Sequence, residues 1–130
     1  MRVPAATMLA VAGLTIGGCG GITDPSKNTV ESFSGTIGVG GSALHQFSSS
    51  KGEISVKLTA LAPTSGASVF LIWTQAASDG SCAGILQQNV ATLNLPAISG
   101  VIISGRYCII IQDIGAFTVP QTYTVAVSHP

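Results

Sequence analysis

Charge is what this chain has least of. Of its 130 residues five are basic and five acidic, so charged side chains make up 8%, against about 25% in an ordinary soluble domain. Arg2, Lys27, Lys51, Lys57 and Arg106 stand singly along the sequence. That excludes the clustered basic surface by which nucleic acid is bound. Histidine is equally scarce, with His45 and His129 the two copies. Nucleophilic catalysis needs a base held between a serine and an orienting acid. His129 is the penultimate residue, where a chain end frays, and His45 sits inside the strand-like run ALHQF; no Gly-x-Ser-x-Gly elbow accompanies either. Glu31, Glu53, Asp79 and Asp113 fall in separate segments, so the close carboxylate pair of a glycosidase is not provided. A helical period is missing too: no window of a dozen residues repeats every three to four positions. These absences argue against an enzyme and against a helical fold.

What is present is apolar and small. Hydrophobic residues reach 46%, with 16 glycines among the rest, and the abundance of patterned Val, Ile and Leu excludes disorder. The N-terminus carries Arg2 followed by an apolar run over 5–16, the order of an export signal. The run ends Ile16-Gly17-Gly18-Cys19, which resembles the lipobox of bacterial lipoproteins. In those proteins the thiol takes up a diacylglyceryl group, the signal is cut before it, and the new amine is acylated in turn. Several acyl chains anchor where one chain binds only marginally. Three other readings of the segment are an ordinary cleavage site beside an incidental cysteine, an uncleaved membrane span and an apolar N-terminus of a cytosolic chain. On the lipoprotein reading 1–18 is the signal peptide, 19–30 the lipidated cysteine with a flexible tether, and 31–130 one domain. Gly20 after the cysteine resembles lipoproteins sorted to the outer membrane in cells that have one.

With Cys19 assigned to lipid, Cys82 and Cys108 remain as a pair, and a disulfide is their natural use in an oxidising compartment; the alternative is two buried free thiols. Two widely spaced cysteines without neighbouring histidines lack the arrangement zinc requires, and no cofactor is expected.

Beyond the tether the chain reads as strands. Period-two alternation marks 31–37, 43–48, 106–112, 122–128 and above all 53–61, where Ile54, Val56, Leu58 and Ala60 share one side. The run SVFLIWT at 68–74 is apolar on both faces and suits a central strand. Residues 75–91 read as a long polar loop with a short strand near 85–88. Further strands are expected at 91–95 and 101–103, broken by Pro96 and Ser99-Gly100, and 112–121 as the hairpin loop between the last two strands. Seven or eight short strands with Gly and Pro between them predict an antiparallel β-sandwich, jelly-roll-like in class.

The segments FSGTIGVGGSALHQF, EISVKLTAL, SGRYCIIIQDIG and QTYTVAVSHP, in that order, together resemble the bacterial pre-peptidase C-terminal domain over about 31–130. The resemblance implies a jelly-roll-like sandwich that is not itself catalytic, and in some members a bound calcium or attachment to a polymer. Calcium needs six to eight oxygens. The side-chain candidates here are Asp79 and Asp113, which a Cys82–Cys108 bridge would draw together. Most aromatics fall at core-facing strand positions; Phe117, in the last loop, and Trp73, at a strand end, are the expected exposed ligand contacts. The function expected is a lipid-anchored, non-enzymatic envelope protein with an interaction or structural role, or else a surface module binding glycan or peptide. Its expected partners are the membrane, through the lipid, and an envelope protein or glycan.

Overall fold

The computed structural model describes residues 27–130. The signal segment, Cys19 and the first part of the tether lie outside them. The chain forms eight strands: β1 (Thr29–Ile37), β2 (Ser42–Ser49), β3 (Gly52–Ala62), β4 (Val69–Ala76), β5 (Cys82–Ala91), β6 (Pro96–Ile102), β7 (Gly105–Asp113) and β8 (Gln121–His129). All pair antiparallel, in two sheets ordered β1-β8-β3-β6 and β2-β7-β4-β5. Each sheet skips between sequence-distant strands, which is the double Greek key of a jelly roll. The sandwich expected from the alternation is therefore present, with β-strands and no α-helix among the described residues.

The core follows from that alternation. One side of each strand faces the opposite sheet, and Ile54, Val56 and Leu58 of β3 meet Leu71, Ile109 and Ile111 of the facing sheet in one buried cluster. Burying such side chains stabilises by about 1.5–3 kcal/mol each. The register of β3 against β8 shifts between Leu58 and Ala60. This bulge turns Leu61 inward and leaves Ala60 exposed, where uninterrupted alternation places Ala60 inside. Bulges do this because one extra residue reverses the side on which the next side chain falls. β4 lies between β7 and β5, as its two-sided apolarity requires.

Three expectations are corrected. The segment 75–91 contains the ten-residue strand β5; its Gln and Asn content comes from an edge strand whose inner positions are polar. The pieces 91–95 and 101–103 are not two strands. A turn closed by Leu95 N–H to Thr92 C=O, with Asn94 at φ 66°, occupies the first, and β6 runs unbroken through Ser99 and Gly100. The 112–121 loop is not a hairpin, because β7 and β8 belong to different sheets, so it crosses from one layer to the other.

Candidate functional site

The disulfide joins Cys82, the first residue of β5, to Cys108 in the middle of β7, with Cα atoms 6.1 Å apart. Cys108 is fully buried on the outer side of its sheet. The 77–81 loop folds over it, held by Gln46 Nε2 donating to Gly80 C=O at 2.6 Å. Asp79 Oδ1 accepts from the N–H and hydroxyl of Ser81 at 2.9 and 2.7 Å, and these bonds hold its carboxyl below the usual range.

Asp113 lies at the opposite end of β4 from Asp79, since it pairs with Val69 while Ala76 leads into the 77–81 loop. The bridge therefore does not draw the two carboxylates together, and the calcium pairing suggested by the sequence is not formed. Asp113 serves the backbone instead. Its Oδ2 accepts from Gly40 N–H at 2.8 Å, and its Oδ1 from the N–H groups of Gly115, Ala116 and Phe117 at 2.9, 2.9 and 3.2 Å. Burial raises its carboxyl, and the four donors outweigh that to leave it below the usual range. Phe117, tied down by this bond, is 5% exposed; the exposed contact expected of it is corrected to a core position.

The polar groups that could act as acids or bases sit at the sandwich edges and bond to each other. On the inner side of β2, His45 stacks on Phe33 with ring centres 5.0 Å apart, and its Nε2 lies 2.5 Å from Tyr123 Oη. Burial lowers the imidazole and raises the phenol, so burial favours the neutral form of each, and the two share a hydrogen bond whose direction follows the His45 tautomer. Gly35 makes room for this pair: a Cβ there would stand 2.7 Å from Tyr123 Oη. His129 Nε2 meets Glu31 Oε2 at 2.5 Å, and the ring is buried. His45 thus links the two sheets, while His129 is bonded to Glu31 of the neighbouring strand in its own sheet and packs on Phe47 of the facing sheet with ring centres 5.1 Å apart. No group of three or more His, Cys, Asp or Glu able to hold a metal occurs among the described residues.

The opposite edge, where β5 lies over β6, carries a cleft of about 290 Å³. The register shifts twice along β5, around Ile85, and Gly84 takes φ 79°, a left-handed conformation that glycine adopts without steric cost. The bulges place Leu86 as one wall, Val101, Ile102 and Ile103 as the other, and Trp73, Gln75 and Tyr107 between them. Tyr107 Oη donates to Ile103 C=O at 2.7 Å. Gly100 faces inward, where a Cβ would lie 3.9 Å from the Trp73 ring. Trp73 is 6% exposed, so it is not the open contact the sequence suggested, yet it lines the cleft and its Nε1–H is buried without a hydrogen-bond acceptor. Sequence reasoning placed Trp73 beside this site but missed Leu86 and Val101. The available signal was the apolar pair Ile85-Leu86 next to Gly84, inside a polar stretch.

No protein-family model and no curated protein matches the chain. The fold is similar to solved structures. The crystal structure of the Yersinia pseudotuberculosis-derived mitogen aligns with a TM-score of 0.58 at 16% identity, covering 79% of this chain and 87% of that one. That of Aeromonas hydrophila PliG, a periplasmic inhibitor of g-type lysozyme, aligns at 0.55 and 15% identity, covering 79% and 88%. At such identities the likeness is one of fold: these sandwiches share an architecture with the present one.

Proposed function

We propose that the chain is an exported, non-enzymatic β-sandwich, anchored through lipid on Cys19 in the bacterial envelope (the outer membrane where there is one), and that it acts by binding another envelope component. The observation that carries the binding reading is the disposition of its polar groups. Both histidines and the buried Asp113 are bonded to structural partners, while the cleft is walled by apolar side chains. Such a surface recognises shape and hydrogen-bonding groups without proton transfer. The anchor rests on the run Ile16-Gly17-Gly18-Cys19, and the resemblance to the pre-peptidase C-terminal domain rests on the segments quoted above. Export agrees with the Cys82–Cys108 disulfide. The Aeromonas protein is named as a periplasmic inhibitor, and it supports the reading as an exported protein of this fold that works by contact. Fractionation tests the anchor: the wild type should sediment with membranes, and the mature chain made without Cys19, exported behind an ordinary cleavable signal, should appear in the soluble fraction. Equal partition of the two would contradict it.

A further inference from the structure

We propose that the β5–β6 cleft takes one extended peptide segment of a partner protein, which adds to β6 at Val101 and seats an apolar side chain over Trp73 and Tyr107. This deepens the reading of the chain as a binding protein by naming the partner's chemistry.

The argument starts from the hydrogen bonding of an edge strand. In an antiparallel pair, alternate residues turn both N–H and C=O toward the partner, and those between turn both away. Ser99 is opposite Ser55 of β3, yet its N–H donates to Gln87 Oε1 and its C=O accepts from Gln87 Nε2, both at 3.1 Å. Ser99 therefore points away from β3, and so do Ala97 and Val101. The amide of Gln87 stands where the peptide unit of a neighbouring strand would stand. Asn89 Nδ2 does the same for Ala97 C=O at 2.7 Å. Inside the cleft, Ile103 C=O is taken by Tyr107. Val101 lies between these capped positions. The side chains β5 offers next along its course, Leu86 and Ile85, carry no amide, and no hydrogen bond to Val101 N–H or C=O from across this edge occurs among the described residues.

A donor and an acceptor side by side on a strand edge are matched by one peptide unit, and strand addition uses that match. The molecule shows the complementary chemistry two residues away, where an amide fills the same two positions. Around Val101 the surroundings are apolar: Val101 is 77% exposed, Ile103 62% and Leu86 49%. The buried, unpartnered Trp73 Nε1–H adds a donor in the wall of the same cleft. A glycan would meet two side chains with free hydrogen-bonding groups there, Gln75 and the buried Nε1–H of Trp73, set between apolar walls that leave most of its hydroxyls without partners. Acyl chains would cover the apolar rim but leave the Val101 pair without partners, an unfavourable burial.

Trp73 is the single tryptophan of the chain and serves as the reporter. The protein purified from the expressing cell is panned against a displayed library of random tryptophan-free heptapeptides, and the best synthetic peptides are titrated while Trp73 fluorescence is followed. Enriched peptides with an apolar centre should shift that emission saturably. N-methylation of one central amide should weaken binding about tenfold or more, the loss of one well-placed hydrogen bond. Val101→Pro should weaken it similarly. It removes an N–H that faces away from β3, a place where an edge strand accepts proline, so its thermal transition and circular dichroism should stay close to wild type. Val101→Thr, which keeps the main chain, should bind within about threefold of wild type. If Val101→Pro does not fold, the N-methylated peptides decide alone. The proposal is overturned if no enriched peptide moves Trp73 emission, or if N-methylation at every central amide is tolerated. It is likewise overturned if phosphatidylethanolamine–phosphatidylglycerol vesicles move the emission and peptides do not. None of these readouts depends on acylation, so a failed anchor test leaves them standing.

Discussion

Removing the disulfide should cost more than any single core truncation outside the most tightly packed positions. Cys82 and Cys108 enclose all of β5 and β6 and the start of β7, a sequence separation of 26. Closing a loop of that length lowers the entropy of the unfolded chain by an amount worth about 3.5 kcal/mol at room temperature. The suitable variant is Cys82→Ala with Cys108→Ala. Serine at the fully buried position 108 would add the separate cost of an unpaired hydroxyl, about 1–3 kcal/mol. Urea unfolding followed by Trp73 emission should show the midpoint falling by roughly 2–3 M at a slope of about 1–2 kcal/mol per M. The thermal midpoint should drop by about 15 °C or more. A further consequence is local: the bridge holds the start of β5, two residues before Gly84, so its loss should loosen the Leu86 wall before the rest of the sandwich. Hydrogen exchange should show that as faster exchange confined to β5. A loss below about 1 kcal/mol with an unchanged slope would refute the reasoning. It would mean that the Gln46–Gly80 bond and the 77–81 loop hold this corner without the covalent link.

Three other predictions follow from the edges. Gly35→Ala should destabilise by about 1–3 kcal/mol through overpacking, because its Cβ would stand 2.7 Å from Tyr123 Oη; adding Tyr123→Phe should recover part of that loss in a double-mutant cycle, and full additivity would count against the contact. His45 is held below its ordinary pKa by burial, so the unfolded chain binds the proton more readily. Stability should be complete above about pH 6.5 and decline as the pH falls below it, and His45→Gln should flatten that slope in denaturation curves measured between pH 7 and 5. Asp113 is likewise held below its ordinary value, and the stability it contributes is present above about pH 4 and lost as the pH falls through its folded value. Asp113→Asn should lower the urea midpoint at pH 7 and narrow its gap to the wild type in more acidic solution; equal midpoints at pH 7 would contradict the four-donor arrangement.

The sheets were legible where the physics is local. Period-two alternation in β3, β7 and β8 follows from one wet and one dry face, and it placed Ile54, Tyr107 and Val125 where they lie. The cysteine pair was legible from counting. The edges were not, because there the usual pattern inverts. Gln87 and Asn89 are polar on the inner side of β5, where they cap the main chain of β6, and a rule of apolar-inside reads such a strand as a loop. Bulges hide for a related reason: Ala60 and Leu61 exchange roles through one extra residue that leaves no mark in composition. Phe117 was misplaced because its burial depends on Asp113 binding three successive N–H groups, a turn geometry set by contacts across the loop. The cleft combines the first two effects, inverted edge polarity and bulges, so of its residues Trp73 was the one the sequence suggested.

The most direct test of the account is the intact mass of the protein purified from membranes of an expressing bacterium, with and without reductant. The expected mass is that of residues 19–130 plus a diacylglyceryl group on the Cys19 thiol and one acyl chain on its amine, rising by two hydrogens on reduction as the Cys82–Cys108 bond opens. An unacylated mass cut at another residue would contradict the anchor, and a mass unmoved by reductant would contradict the bridge.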